Sequence, residues 1–408
     1  MKKILRSALG MTLFGAALVA IGITACDPEP PLEASVSEPV EPESTAADDP
    51  AADVVRKSLE DILRDQDAYS RARRLGVLLP TLRPEFVPAV KQTLEDTSLD
   101  LGATELELLV RFWATHQGED ASRWSVEKSP PGYRLAAVMT SLTLWAGADP
   151  QAAANATEQW AAQNPDVRDA VQVALVRGWF TADPAELAQY IRNIGMGFTR
   201  QRAIATYIRA MIQAQGIEAA VRWAESVPAD DATYKMAVYR QMAAALPLFD
   251  HDAVLRWCEA HCEGLHGNNM RSIIARRWVR SDGAAALVWL SEAAPEGHDK
   301  NLAVRAAFAL WGQIDREATL AWMQTQTAGE PEAWLQPVFP VYARLLSADS
   351  PADAIEWAER IEGDEEREIV LTEVVRTWRQ IDEDAAEAWL LQSSLSEGAR
   401  EKVRASGS

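Results

Sequence analysis

Large aromatic residues recur along this chain at intervals of about 33 positions, each set among alanines and other small apolar residues. One series sits in similar settings: Ala-Ala-Val-Arg-Trp223, Ala-Val-Leu-Arg-Trp257, Ala-Ala-Leu-Val-Trp289, Ala-Thr-Leu-Ala-Trp322, Ala-Ile-Glu-Trp357 and Ala-Glu-Ala-Trp389. Trp160 and Tyr190 extend it upstream, and the steps run from 30 to 35 residues. A second series interleaves with the first at Trp145, Trp179, Trp278, Trp311 and Trp378, with Leu345 filling one slot. From Trp179 on, each member precedes its partner by 11 residues, or by 12 for Leu345, and Trp113 and Trp124 repeat the 11-residue step. A fixed period of this length marks a repeated supersecondary unit.

Helix-start signals fall at a constant place in the unit. Seven residues before the first-series aromatic stand Asp183, Asp250, Asp282, Asp315 and Asp382, with Ser350 before Trp357. These are N-cap residue types. Pro184 with Glu186, and Pro351 with Asp353, add a first-turn proline and an acidic residue at the capping-box position. Pro228, Pro295, Gly264 and Gly363 mark helix ends. Each unit therefore reads as a helix carrying the second-series residue, a tight turn ending at Asp, and an Ala-rich helix carrying the first. Two helices with one apolar stripe each must stack on neighbours to bury it. The expected fold is all-α, a right-handed α-solenoid of about ten stacked hairpins over residues 52–395, with a flexible tail at 396–408. This organisation resembles the tetratricopeptide and HEAT-like helical-repeat class. The Trp-x2-Leu-Gly-x2-Tyr start of tetratricopeptide units is absent, so the resemblance implies a fold and a scaffold or peptide-binding role without transferring any functional residue.

The amino terminus departs from the repeat. Lys2, Lys3 and Arg6 precede an apolar run from Leu9 to Ile23 that closes on Ile23-Thr24-Ala25-Cys26. This resembles the signal peptide and lipobox of bacterial lipoproteins, which implies removal of residues 1–25 and lipidation of Cys26. Asp27 matches the inner-membrane retention residue of enterobacterial lipoproteins, although other bacteria sort differently, so the choice between inner and outer membrane stays open. Residues 26–51 contain six prolines and eight acidic residues with no basic one, the composition of a disordered tether. The resemblance implies a bacterial cell-envelope location, facing the periplasm, with the lipid bilayer as one partner.

Across all 408 residues the net charge is -20, with 60 acidic and 40 basic side chains. That sign argues against a nucleic-acid partner. No His-Glu-x-x-His, Gly-x-Ser-x-Gly, P-loop or dinucleotide fingerprint occurs. The expectation is a protein without catalytic residues, metal site or cofactor. Gly195-Met196-Gly197 could present amides to an anion, but reads better as a turn between helices.

Two residue sets invite chemistry. His251, Cys258, His261, Cys262 and His266 cluster in sequence, and Cys258 and Cys262 are the only thiols besides Cys26. Residues four apart on a regular helix have Cβ atoms about 5–6 Å apart, wider than the roughly 3.5–4.5 Å of a disulfide. Cys258 occupies the small buried slot of Ala224 and Ala358, so packed thiols lead over a disulfide, and over a metal or redox site. Arg177, Arg240, Arg276, Arg305, Arg344 and Arg376 follow the first helix of successive units. They form a candidate ladder for an acidic peptide or carboxylate, against the plainer reading of ion pairs with the next unit. The tryptophans read as core. The resulting expectation is a membrane-anchored, noncatalytic scaffold or adaptor for protein or peptide partners. Its rivals are a glycan- or peptidoglycan-linked accessory or enzyme, and a thiol or metal carrier using Cys258 and Cys262.

Overall fold

The computed structural model describes residues 50–96, 98–99, 101–263 and 267–405. The apolar leader, Cys26, nearly all of the acidic segment, Gly264 and His266 lie outside the described residues. Those described are all-α: twenty-two α-helices, a few short 3-10 turns and no strand. The body begins with α1 (Pro50–Leu63), α2 (Ala68–Leu78) and α3 (Val87–Glu95). Nine helical hairpins follow. They pair α4 (Ala103–His116) with α5 (Gly118–Glu127), α6 (Arg134–Ala148) with α7 (Pro150–Gln163), and α8 (Arg168–Ala182) with α9 (Pro184–Asn193). Next come α10 (Phe198–Gln215) with α11 (Ile217–Ser226), α12 (Ala232–Ala245) with α13 (His251–His261), and α14 (Gly267–Trp278) with α15 (Gly283–Ala293). The last three pair α16 (His298–Ile314) with α17 (Arg316–Gln326), α18 (Phe339–Leu346) with α19 (Pro351–Glu359), and α20 (Asp364–Ile381) with α21 (Glu383–Gln392). The even-numbered helices from α4 to α20 pack each on the next.

One residue serves both helices at many of the turns. The Asp183 amide donates to the Trp179 carbonyl at 2.9 Å, closing α8, while its carboxylate accepts from the Ala185 and Glu186 amides at the start of α9. Asp149, Asp282, Asp315 and Asp382 repeat this double capping. Extended dihedrals at the aspartates turn the chain while both sets of helix-end groups find partners. Glu186 does not complete a capping box, because the Asp183 amide is already committed to Trp179; its carboxylate accepts instead from the Trp179 indole at 3.2 Å. Ser350 makes no side-chain cap bond, unlike the aspartates in its slot. In the α10–α11 turn the slot is held by Gly216, whose φ of +86° suits a residue without Cβ. Replacing Asp315 by Ala is expected to cost about 1 kcal/mol, seen as a lower urea midpoint, with Asn at the same position nearly neutral.

The two aromatic series meet inside the hairpins. Trp113 faces Trp124 at 5.8 Å between ring centroids, Trp179 faces Tyr190 at 4.7 Å, Trp278 faces Trp289 at 5.7 Å and Trp311 faces Trp322 at 5.5 Å. Tilted geometries of this kind add to burial of the rings themselves. None of the fifteen tryptophans is exposed.

At the carboxyl end the structure corrects the expected tail at 396–408. Residues Glu397–Arg404 form α22, which packs on α20. The reason is a small apolar stripe: Ala399 and Val403, four apart, are buried, Ser396 caps the Ala399 amide, and Arg379 donates to the Val403 carbonyl at 2.9 Å.

Candidate functional site

The six-arginine ladder divides into two halves with opposite surroundings. Downstream, Arg305 pairs with Glu366 at 2.6 Å and Arg344 with Glu373 at 2.7 Å. Arg376 lines a cleft with Asp364, Glu365, Glu368 and Glu373. These three arginines are half-buried and set among carboxylates, and two of them, Arg305 and Arg344, are engaged in the ion pairs of the plainer reading. Upstream, Arg177, Arg240 and Arg276 are exposed, and none forms an ion pair among the described residues. Arg240 donates only to the neutral side-chain oxygen of Asn269, at 3.1 Å.

Further arginines join this upstream half. A groove of about 530 Å³ is lined by Arg240, Arg276, Arg277 and Arg280 with Gln201, Gln241 and Asn269, over an apolar floor that includes Ile273 and Leu310. Its residues come from α10, α12, α14 with the turn after it, and α16. Arg209 on α10 has its guanidinium held below the ordinary value, first by loss of hydration, then by the like charges of Arg177, Arg277 and Arg202. Arg202 is neutralised by Asp169 at 2.9 Å. Among the described residues, the side chains of Arg177, Arg209, Arg276, Arg277 and Arg280 make neither ion pair nor hydrogen bond.

The local sequence explains why they stay unpaired. α10, α12 and α14, three successive members of the packing series, contain no Asp or Glu between them, while each carries at least two basic residues. In a chain of net charge -20 this is a concentrated reversal of sign. Guanidinium groups gathered without counter-charge repel one another, and that unfavourable energy is released by an anionic ligand. Arg209, Arg277 and Arg280 were not reached by the ladder pattern; the signals available were the runs 187–217 and 264–281, each of which holds four arginines and no acidic residue.

A second cavity of about 420 Å³ adjoins the groove and shares Gln201, Arg240 and Gln241 with it. Met196, Met236, Ala232 and Ala237 make its wall apolar, and Arg200 stands at its side. Arg200 is fixed over the Tyr234 ring at 5.6 Å and donates to the Arg192 carbonyl. Gly195, Met196 and Gly197 form the turn before α10, with Gly197 at φ +151°.

The cysteine cluster takes a different form from the packed thiols favoured by the sequence. Cys258 and Cys262 are joined in a disulfide, with Cα atoms 4.7 Å apart. Cys262 is the cap residue of α13 and has left regular helical dihedrals, at φ -90° and ψ 21°, which brings its Cα closer than the roughly 6 Å rise of four regular residues. Both residues are buried. His261 lies 3.2 Å from Glu225 and against the Tyr239 and Trp257 rings, while His251 stacks on Trp278 at 4.6 Å. Each histidine is thus occupied by packing, and bonded sulfurs are not thiolate ligands. Among the described residues no group of three or more His, Cys, Asp or Glu side chains could hold a metal ion.

No family model matches this chain, and no curated protein or solved structure matches it either.

Proposed function

We propose that this chain is a bacterial envelope lipoprotein whose helical hairpins stack as a solenoid and hold an acidic segment of a protein partner in the arginine groove. Cys26 carries the lipid anchor, and the acidic residues 27–50 separate the body from the bilayer. The single observation that carries the binding role is the set of unpaired guanidinium groups on α8, α10, α12 and α14 within an acidic protein. Arginine offers planar, bidentate donors that match carboxylates. A fold built from repeated hairpins supplies an extended surface for a linear ligand. The carbohydrate alternative has less support, since no indole is exposed for stacking on a sugar ring.

The test is crosslinking in intact cells followed by capture of the lipidated protein and quantitative mass spectrometry, against an anchored control without the hairpins. The expected result is enrichment of one or two envelope proteins bearing acidic segments. Enrichment of nothing beyond the control would overturn the adaptor reading.

A further inference from the structure

The contiguity of the two cavities carries a statement about ligand sequence. We infer that the groove reads a mixed segment, in which a bulky aliphatic side chain and a carboxylate lie about three residues apart on an extended chain. This rests on the adaptor reading above and specifies the ligand of the same site.

Cavity and groove lie side by side, the first lined from α10 and α12, the second chiefly from α12 and α14 with Gln201 of α10 and Leu310 of α16 at its edges. Packed helices stand about 8–10 Å apart, and an extended chain advances about 3.3 Å per residue. One step between adjacent sites therefore spans about three residues. The first site offers two thioethers and two alanines, a wall that adapts to aliphatic shapes. The second offers four guanidinium groups. Gln201 and Gln241, shared by the two, place amide donors and acceptors suited to a peptide main chain. Met196 and Phe198, on the turn beside the first site, are 78% and 90% exposed, an apolar pair on the surface with no covering group of its own.

Fluorescently labelled Gly/Ser peptides test this on the full chain in detergent. One series carries three Glu with a single Leu placed one to five residues from the central Glu, in both chain directions. A second replaces Leu by Ser, and a third replaces Glu by Gln. The spacing of three is expected to bind at least about ten-fold tighter than its Leu→Ser counterpart. Met236→Ser should erase that ratio. Equal binding of Leu- and Ser-containing peptides would overturn this inference and leave the acidic-ligand reading standing. Absence of binding by every acidic peptide would overturn both. Displacement by inorganic pyrophosphate as effective as by the best peptide would overturn the inference by reassigning the site to small phosphate anions.

Discussion

Gly178→Ala is expected to destabilise the protein by about 3 kcal/mol, near the upper end for overpacking of a core. Gly178 lies buried on α8, where that helix crosses α6 in the most extensively packed helix pair of the body. A Cβ there would stand 2.2 Å from the Thr143 carbonyl oxygen, 2.8 Å from the Ala146 Cβ and 2.9 Å from the Gly147 amide nitrogen. Two of these atoms are helix backbone, so no side-chain rotation relieves the contact and the helices must part. The gain of roughly 1 kcal/mol from a better helix former is too small to compensate. Gly147, opposite, is the control: its Cβ would meet the Thr181 hydroxyl at 3.2 Å and the Gly178 carbonyl at 3.5 Å. Gly147→Ala should be far milder. Urea midpoints compare the two variants, and hydrogen exchange should show the loss of protection concentrated in α6 and α8. Equal effects of the two substitutions would refute the packing argument.

The second large effect concerns charge. Converting Arg276 and Arg277 together to Glu changes the groove by four charge units while touching only exposed side chains. Affinity for an acidic peptide should fall at least about one hundred-fold, equivalent to about 2.7 kcal/mol, because two charge-assisted contacts vanish and two repulsions replace them. Far-UV circular dichroism should remain unchanged. Salt should weaken binding by the original protein, since exposed charges are screened within about 8–10 Å at physiological ionic strength, and that dependence should flatten in the variant. Arg305→Glu is the contrasting case. Its partner is Glu366, so the reversal breaks an internal pair and should leave peptide affinity nearly intact. A drop in affinity equal to that of the double variant would contradict the division of the ladder.

These contrasts also show which features can be read from residue spacing. The N-caps were legible because N-capping depends on a few consecutive residues, and Asp183, Asp250, Asp282, Asp315 and Asp382 all accept the expected bonds. The aromatic pairs were legible for a similar reason: an 11-residue step around a tight turn returns a side chain to the same level of the hairpin. The fate of each arginine was not. Arg276 and Arg305 both lie on the second-series helix of their units, two and six residues before its aromatic, yet the carboxylate that neutralises Arg305 lies 61 residues away, and the absence of one near Arg276 depends on three helices at once. The disulfide depended on how far the last turn of α13 departs from regularity. The terminal helix escaped notice because its stripe is only two small residues and its fixing contacts, from Arg379 and α20, come from elsewhere.

The concentration of helix packing between neighbouring hairpins has a consequence for the order in which the chain acquires structure. Extensively packed helix pairs lie within two helices of one another in sequence. Closing a loop costs entropy that grows with its length, so here that cost arises in small instalments of about one repeat and never for the chain as a whole. Such contacts of low sequence separation favour fast folding. A chain delivered amino end first can therefore lay down each hairpin on the last as it emerges, without waiting for its carboxyl end.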